Sequence, residues 1–401
     1  MVIGLDGVIV KKKGNDGSRI ANTRTIFNII RKEKGLTRTQ LADKTGLSAP
    51  SVSRILGVLS EIGYINENVS PSNNLGRKTM LISSRPGLDY SLGVQIDKNF
   101  IRAGIIDLAN NLVISEKTAF ECYLNSATAV LRQVALIRDE LAAKAVINPK
   151  KIHSAGIAMP GAVNRKEGIQ TFSPQLGWSG IPVRNIAEKI LKVPVVIDND
   201  LKFYAYGEST KGLEGNPESV TFLYIGSGVG AAHVLDGKVL KGSMNSAGEI
   251  GHVKIDNPGI MCDCGRVGCL QTHMTEGAMI NKARSVISTI STSSEIFEYM
   301  DQGAEWAVNI VMELVNYAAI TLGILVAVYD PHLIVLGGEI IEQNDRIFQA
   351  IVNRYTDIEY TAIGKHCKIV KSSMQGKSVI LGAGIAAVDL FLNNFNFSLP
   401  V

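Results

Sequence analysis

Thr37-Arg38-Thr39-Gln40-Leu41-Ala42-Asp43-Lys44-Thr45-Gly46-Leu47-Ser48-Ala49-Pro50-Ser51-Val52-Ser53-Arg54-Ile55-Leu56 holds two helical patterns parted by a glycine. Thr37 and Gln40 have capping-box spacing: the threonine hydroxyl accepts from the third helical amide and the glutamine reaches back. A short helix turns Leu41 and Ala42 inward, and Gly46 supplies the turn. Ser48 is placed to cap a further helix, which Pro50 enters where early amides need no partner. Val52, Ile55, Leu56 and Leu59 then form one apolar stripe at helical spacing.

A short helix, a turn and a helix with a polar leading face make the helix-turn-helix pattern, whose second member lies in the major groove of duplex DNA. With the stripe turned inward, Ser48, Ala49, Ser51, Ser53 and Arg54 remain to meet bases and phosphates. Arg54 is the expected base reader, because a guanidinium bonds two guanine acceptors at once. Arg38 and Gln40, opening the preceding helix, complete the expected DNA-facing set on this segment. A plain three-helix bundle with a solvated Arg54 would share the periodicity; the capping box, turn chemistry and local charge together favour the DNA-binding reading.

Upstream, Ile26, Phe27, Ile29 and Ile30 bunch on one face of a helix over residues 22–34 that Gly35 ends. Downstream, Tyr64-Ile65 and Met80-Leu81-Ile82 read as two strands of a wing. At its far side Gly76-Arg77-Lys78 sets two cations on a flexible backbone, suited to a minor groove or to phosphates, or simply to solvent. Pro86-Gly87 punctuates the boundary. Residues 1–86 carry 14 Lys and Arg against 6 Asp and Glu, and residues 87–401 carry 27 against 31. A basic head on a mildly acidic body points to a polyanion partner for the head, a solvated tail being the alternative.

At 401 residues the chain is long enough for two or three domains, and 46% apolar with 19% charged residues excludes a largely disordered chain or a highly charged coiled coil. The best candidate for a membrane span, the uncharged run 314–329, contains Asn316, Thr321 and Gly323 and stops at Asp330-Pro331. That predicts a buried helix ending in a turn, not a bilayer span. Asp6 inside the apolar start and Lys11-Lys12-Lys13 after it reverse the charge order of a secretory signal, so a cytoplasmic, nucleoid-associated location is expected.

The body alternates strand candidates with helical segments, which implies an α/β architecture. Residues 91–96 and 101–107 pair around Asp97-Lys98-Asn99, and further strands are expected at 153–158, 193–197, 220–225 and 333–336. Helices are expected at 127–145 and 305–328. A strand-turn-strand unit near both 91 and 220 hints at two related lobes. Cys122 and Cys367 stand alone, whereas Cys262, Cys264 and Cys269 fall together a short way after His252. Three thiolates and one imidazole are what a closed, structural tetrahedral zinc site uses, and the four ligands leave no open position for catalysis.

Met159-Pro160-Gly161, Ser173 to Trp178, Asp198-Asn199-Asp200, Gly226-Ser227-Gly228-Val229-Gly230, Gly248-Glu249-Ile250-Gly251-His252, the cysteine cluster, Gly337-Gly338 and Leu381-Gly382-Ala383 carry a resemblance over residues 20–395. The chain resembles the ROK family (repressor, open reading frame, kinase), and within it the transcriptional repressors of the xylose and N-acetylglucosamine type. The resemblance implies an actin-like, ribonuclease-H-like body. On that basis residues 1–19 form an arm and 20–86 the winged helix-turn-helix. Residues 87–198 with 381–401 form the first lobe, and 199–380 the second lobe with its zinc loop. It also implies a homodimer or tetramer, with no membrane partner.

Family kinases end their first strand in an Asp-x-Gly-Gly-Thr turn that cradles ATP phosphates. Here the matching stretch is Gln95-Ile96-Asp97-Lys98-Asn99, where side chains replace both glycines and a close backbone cradle is not expected. The sugar side is better kept. By resemblance Asp200 stands where kinases place their base, and Gly161, Asn199, Glu249, His252 and Gln271 match sugar-contacting positions. Gln271 and Gln175 depart from the family's usual glutamate and asparagine, and Lys202 replaces an asparagine. His252 serves zinc and sugar together if its two ring nitrogens divide the tasks. The expected function is repression through an imperfect inverted-repeat operator under control of a sugar or sugar derivative, without catalysis. The alternatives are a sugar kinase with an appended head, and a zinc-dependent scaffold governed by a protein partner.

Overall fold

The fold is described from a computed structural model for residues 15–33, 35–69, 79–213, 217–358, 366–374 and 376–397. Helix α1 (Asn15–Lys32) precedes α2 (Arg38–Thr45) and α3 (Ala49–Glu61), and the wing strands β1 (Ile65–Val69) and β2 (Met80–Ser84) pair antiparallel. Both halves of the Thr37–Gln40 capping box form, and Gly46 ends α2 at φ 67°, a left-handed conformation that a side chain would strain. The α3 stripe is buried as its spacing predicted, Val52, Leu56 and Leu59 at 0% exposure. Leu36 bridges to Ile82 and so joins the wing to the turn before α2. One expectation fails here: Ser48 holds the N-cap position of α3 but makes no side-chain cap. Its hydroxyl instead meets the Ser51 hydroxyl at 2.9 Å, a local partner that competes with the helix amide.

Along the body the strands run β3 (Tyr90–Ile96), β4 (Phe100–Asp107), β5 (Leu112–Ala119), β6 (Ile152–Met159), β7 (Ala162–Asn164), β8 (Ile169–Ser173), β9 (Trp178–Ile181) and β10 (Val195–Asn199). After them come β11 (Ser219–Ile225), β12 (Val229–Leu235), β13 (Lys238–Val239), β14 (Leu333–Gly337) and β15 (Lys368–Lys371). The helices are α4 (Ala127–Lys144), α5 (Val183–Leu191), α6 (Asp200–Gly207), α7 (Glu276–Arg284), α8 (Ser293–Asp301), α9 (Glu305–Tyr329), α10 (Glu339–Glu342), α11 (Asp345–Ile358) and α12 (Ser378–Asn394).

Two five-stranded sheets share one winding plan. Their orders are β10-β6-β3-β4-β5 and β13-β12-β11-β14-β15. In each, the first strand sits in the middle with its antiparallel hairpin partner on one side and a parallel crossover strand on the other. The hint of paired lobes in the sequence therefore has a structural counterpart. A three-stranded sheet, β7-β8-β9, is separate.

The chain divides into two compact units. The first holds residues 1–158, 182–197 and 383–401, and the second holds 159–181 and 198–382. Residues 159–181, assigned to the first lobe from sequence, group with the second unit, because β7–β9 form their own small sheet. In the first unit the DNA-binding head packs on the body without a free linker. Arg31, on α1, is buried and donates to the Leu108 carbonyl (2.7 Å), Asn28 (2.8 Å), Asn110 (2.5 Å) and Asp389 (3.0 Å). Arg24 reaches the carbonyls of Leu392 (2.9 Å) and Asn393 (2.7 Å), and Phe27 meets Phe397 edge-on. Tyr64 donates to Asp89 at 2.8 Å, and His153 meets the other oxygen of that carboxylate at 2.7 Å.

In the second unit α9 is long and apolar enough to cross a bilayer. It lies instead in the core, with Leu314, Ala318 and Leu322 fully buried in one cluster with residues of β11 and β14, and Asp330 ends it in the left-handed region. This is the buried helix and turn that the run at 314–329 predicted.

Candidate functional site

The second unit holds an open cleft of about 590 Å³, counted out to its mouth. Its wall brings together all six residues expected at the ligand site: Gly161, Asn199, Asp200, Glu249, His252 and Gln271. The segments that supply them are held by local chemistry. Asn199 caps α6, its side-chain oxygen accepting from the Leu201 amide at 2.9 Å while its amide nitrogen donates to the Gly161 carbonyl at 3.0 Å. Asp200, one residue on, places its carboxylate at the positive end of the same helix and also accepts from Leu201. Gly161 has φ 91°, and a Cβ there would run into the Phe172 carbonyl, so the turn from β6 into β7 lies this close to β8 only with glycine at that position.

Behind this wall Asp198 is 1% exposed and accepts from Arg165 (3.1 Å) and Asn245 (2.8 Å). Asn245 also donates to the Val163 carbonyl, pinning the loop before Glu249 to the β7–β8 sheet. Lys202 is buried outside the cleft wall and gives its amine to the Ala247 carbonyl. Burial lowers its pKa, and the charges of Glu249, Asp198 and Asp200 act against that.

The four residues expected at the metal converge. One donor atom from each of His252, Cys262, Cys264 and Cys269 lies within 4.8 Å of the others. The Cys264 and Cys269 sulfurs are 3.6 Å apart, and the Cys262 sulfur is 3.7 Å from His252 Nδ1. A tetrahedral ion with ordinary zinc bond lengths sets sulfurs at about 3.8 Å and sulfur from nitrogen at about 3.6 Å, so the donor set fits a metal of that kind. Nδ1 faces the sulfurs, and Nε2 lies 4.0 Å from Glu249 in the cleft wall, so the two ring nitrogens look toward different groups. Burial holds His252 below its usual pKa, which favours the neutral, ligating imidazole. Burial also pushes the Cys262 thiol up to about 12, whereas at Cys264 hydrogen bonds from Arg266 outweigh burial and lower it.

On the head, Ala49, Ser53 and Arg54 are exposed along α3, and Ser48 and Ser51 share their mutual bond. One terminal nitrogen of Arg38 donates to both carboxylate oxygens of Glu67 of the wing (2.9 and 3.1 Å). Gln40 already gives its oxygen to the capping box, which leaves only its amide nitrogen for another partner. Gly76, Arg77 and Lys78 lie outside the described residues. At the stretch aligned with the kinase turn, Asp97-Lys98-Asn99 closes the β3–β4 hairpin with the Asp97 amide on the Phe100 carbonyl at 2.9 Å.

Several members of the cleft wall were not among the expected site residues. Tyr224 lies just before a glycine-rich turn that reads as a simple hairpin and Ser227 lies within it, and Asp263 was hidden between two cysteines whose spacing pointed to metal.

A winged helix-turn-helix carried on a doubled, actin-like body, with one histidine and three cysteines clustered beside a polar cleft, defines the class: a DNA-binding head joined to a sugar-kinase-type fold. The chain belongs to the ROK family, whose model matches residues 92–389, and a winged helix-turn-helix DNA-binding model matches residues 21–66. It is 24% identical over 379 residues to the xylose repressor of Caldicellulosiruptor bescii, covering 90% of this chain and 94% of that one. The crystal structure of a ROK family transcriptional regulator, a homologue of the Escherichia coli MLC protein, superposes with TM-score 0.75 at 23% identity over 94% of this chain and 99% of that one. A ROK glucokinase from Streptomyces griseus, solved with glucose and AMPPNP, superposes with TM-score 0.66 at 22% identity over 74% of this chain and 99% of that one.

Proposed function

We infer that this protein is a DNA-binding transcriptional repressor whose hold on its operator is set by a sugar or sugar derivative in the cleft of the second unit. The observation that carries the reading is the seating of the head: α1, α3 and the wing are clamped to the body through Arg31, Arg24 and Tyr64, so the orientation of α3 is inherited from the body. Arg54, Ser51 and Ser53 read bases from α3, and Arg77 and Lys78 serve the wing. Two copies grip the halves of an imperfect inverted repeat, because a single helix-turn-helix reads one half-site. Cytoplasmic DNA is its place of action.

Glu249, His252, Asn199 and Asp200 offer donors and acceptors to sugar hydroxyls, and Gln271 and Gly161 complete that wall. The ligand alters DNA affinity only by the difference in its affinity for the two states of the repressor. The cluster of His252 with the three cysteines holds zinc, which ties the cleft loop together and performs no chemistry. Catalysis is absent: Gln95 to Asn99 put side chains where a phosphate cradle needs glycine, and Asp200 is a retained base without a phosphoryl donor. Operator fragments recovered by genome-wide mapping, titrated by fluorescence anisotropy with and without a sugar panel, test the proposal. Weakened binding with one sugar is expected, and an affinity that no sugar changes refutes the sensing half. Release of ADP from magnesium ATP in the presence of a sugar would favour the kinase reading, which the glucokinase relationship supports.

A further inference from the structure

The charge of the cleft wall is one-sided. Asp200, Glu249 and Asp263 place three carboxylates on it, and no lysine or arginine lines it among the described residues. The cations that adjoin these residues are engaged elsewhere. Lys202 is buried with its amine on the Ala247 carbonyl, and Arg165 pairs with Asp198; Arg266, beside the wall, is occupied by the metal loop, where it donates to the His252 carbonyl at 3.2 Å and to the Cys264 sulfur. A divalent ion on the three thiolates would not reverse the sign, because three thiolates carry more charge than such an ion.

Two backbone features that could welcome an anion already carry partners. The positive end of α6 already faces the carboxylate of Asp200, and its Leu201 amide is bonded to both Asn199 and Asp200. In the glycine-rich turn the Gly226 amide is bonded to the Gly228 carbonyl at 2.9 Å. The wall is therefore rich in acceptors for hydroxyl protons and poor in partners for a phosphate, which carries about −1.5 to −2 charge near neutral pH. A Debye length of roughly 8 Å at physiological salt leaves charges that share one small cleft largely unscreened.

We propose that the cleft selects an unphosphorylated carbohydrate and rejects the phosphate ester of the same sugar, so that the repressor answers to the sugar before phosphorylation. The selection rests on the sugar-sensing reading above and narrows it to one chemical class. It is carried by carboxylate repulsion across the cleft, with Asp263 acting from the rim of the metal loop, where it supplies charge without being a metal ligand. An amino sugar, bearing a positive charge, binds at least as tightly as its neutral parent.

The test is isothermal titration of the full-length, metal-loaded protein with matched probes: glucose and glucose 6-phosphate, N-acetylglucosamine and its 6-phosphate, then glucosamine and xylose. The expected result is at least one neutral sugar bound tenfold or more tighter than its ester, with the gap shrinking as salt rises from 50 to 500 mM. Asp263→Asn should narrow the gap severalfold by improving the ester alone. If that variant does not fold, the salt series on the wild type still decides. An ester that binds as well as its parent sugar, or better, overturns the charge selection and leaves sugar sensing intact. Failure of every probe to bind overturns the sensing reading itself, and the selection with it.

Discussion

Replacing Arg31 by methionine should unseat the DNA-binding head. The guanidinium is 2% exposed and donates to four groups, of which Asp389 is 23% exposed and Asn110 is buried. Removing one partner of a buried ion pair costs about 3–5 kcal/mol, and the partial solvation of Asp389 places this case near the lower end, about 3 kcal/mol. For a folding unit of about 200 residues each kcal/mol moves the melting temperature by roughly 2–4 °C, so a fall of about 6–12 °C is expected for the first unit. Arg31→Lys should recover less than half, because a single ammonium cannot span acceptors that a planar fork reaches together. Scanning calorimetry gives the temperature, and operator anisotropy with and without the inducing sugar gives the functional consequence. The variant should still meet DNA but lose its sugar response. A variant that melts within 2 °C of wild type and releases DNA normally would refute the idea that this contact seats the head.

Cys264→Ser, or prolonged chelation, should lower the melting temperature and the sugar response while the isolated head's DNA contacts persist; metal analysis showing one bound zinc per wild-type chain and an unchanged melt after its removal would contradict a structural role. Arg54→Ala should weaken operator binding by about 1–3 kcal/mol and relax specificity at one base position, read by anisotropy against single-base operator variants. At Asp89 burial alone would raise the carboxyl, but hydrogen bonds from His153 and Tyr64, with the charges of His153 and Lys151, outweigh it and hold the pKa below the usual range. That stabilisation is full above the unfolded value near ~3.9 and is lost as pH falls through the lower folded value. Asp89→Asn should therefore cost about 1–2 kcal/mol from pH 8 down to about 5, with the gap closing only below about 4; urea melts showing it close between pH 8 and 6 would contradict the assignment. ADP release by the wild type should stay at background with every sugar tried.

The head was legible because its signals are local. A capping box, a left-handed glycine and an apolar stripe are set by residues within a few positions of each other, and the α3 residues Val52, Leu56 and Leu59 are buried as their spacing requires. The metal set was legible for the same reason, since three of its four donors lie in one loop. The clamp around Arg31 was not. Its acceptors at Leu108, Asn110 and Asp389 are 77, 79 and 358 positions away, and no periodicity connects them. Nor could the sequence foresee that the Ser48 hydroxyl would turn to Ser51, because a local side-chain partner competes there with the helix amide. The one-sided charge of the cleft depended on where Lys202 and Arg165 point, which neighbouring letters do not reveal.

Several partners that hold α1 belong to the last turns of α12 and the residues just after it: Asp389, the carbonyls of Leu392 and Asn393, and the ring of Phe397. As the nascent protein leaves the ribosome, α1 is made long before α12, so this part of its mooring forms only once the ROK body has been synthesised. A stop codon just after Asp389 would spare every base-reading side chain, the cleft and the Arg31 contacts, yet it would remove both Arg24 acceptors and Phe397. Such a regulator should hold its head less firmly and pass on less of the sugar signal.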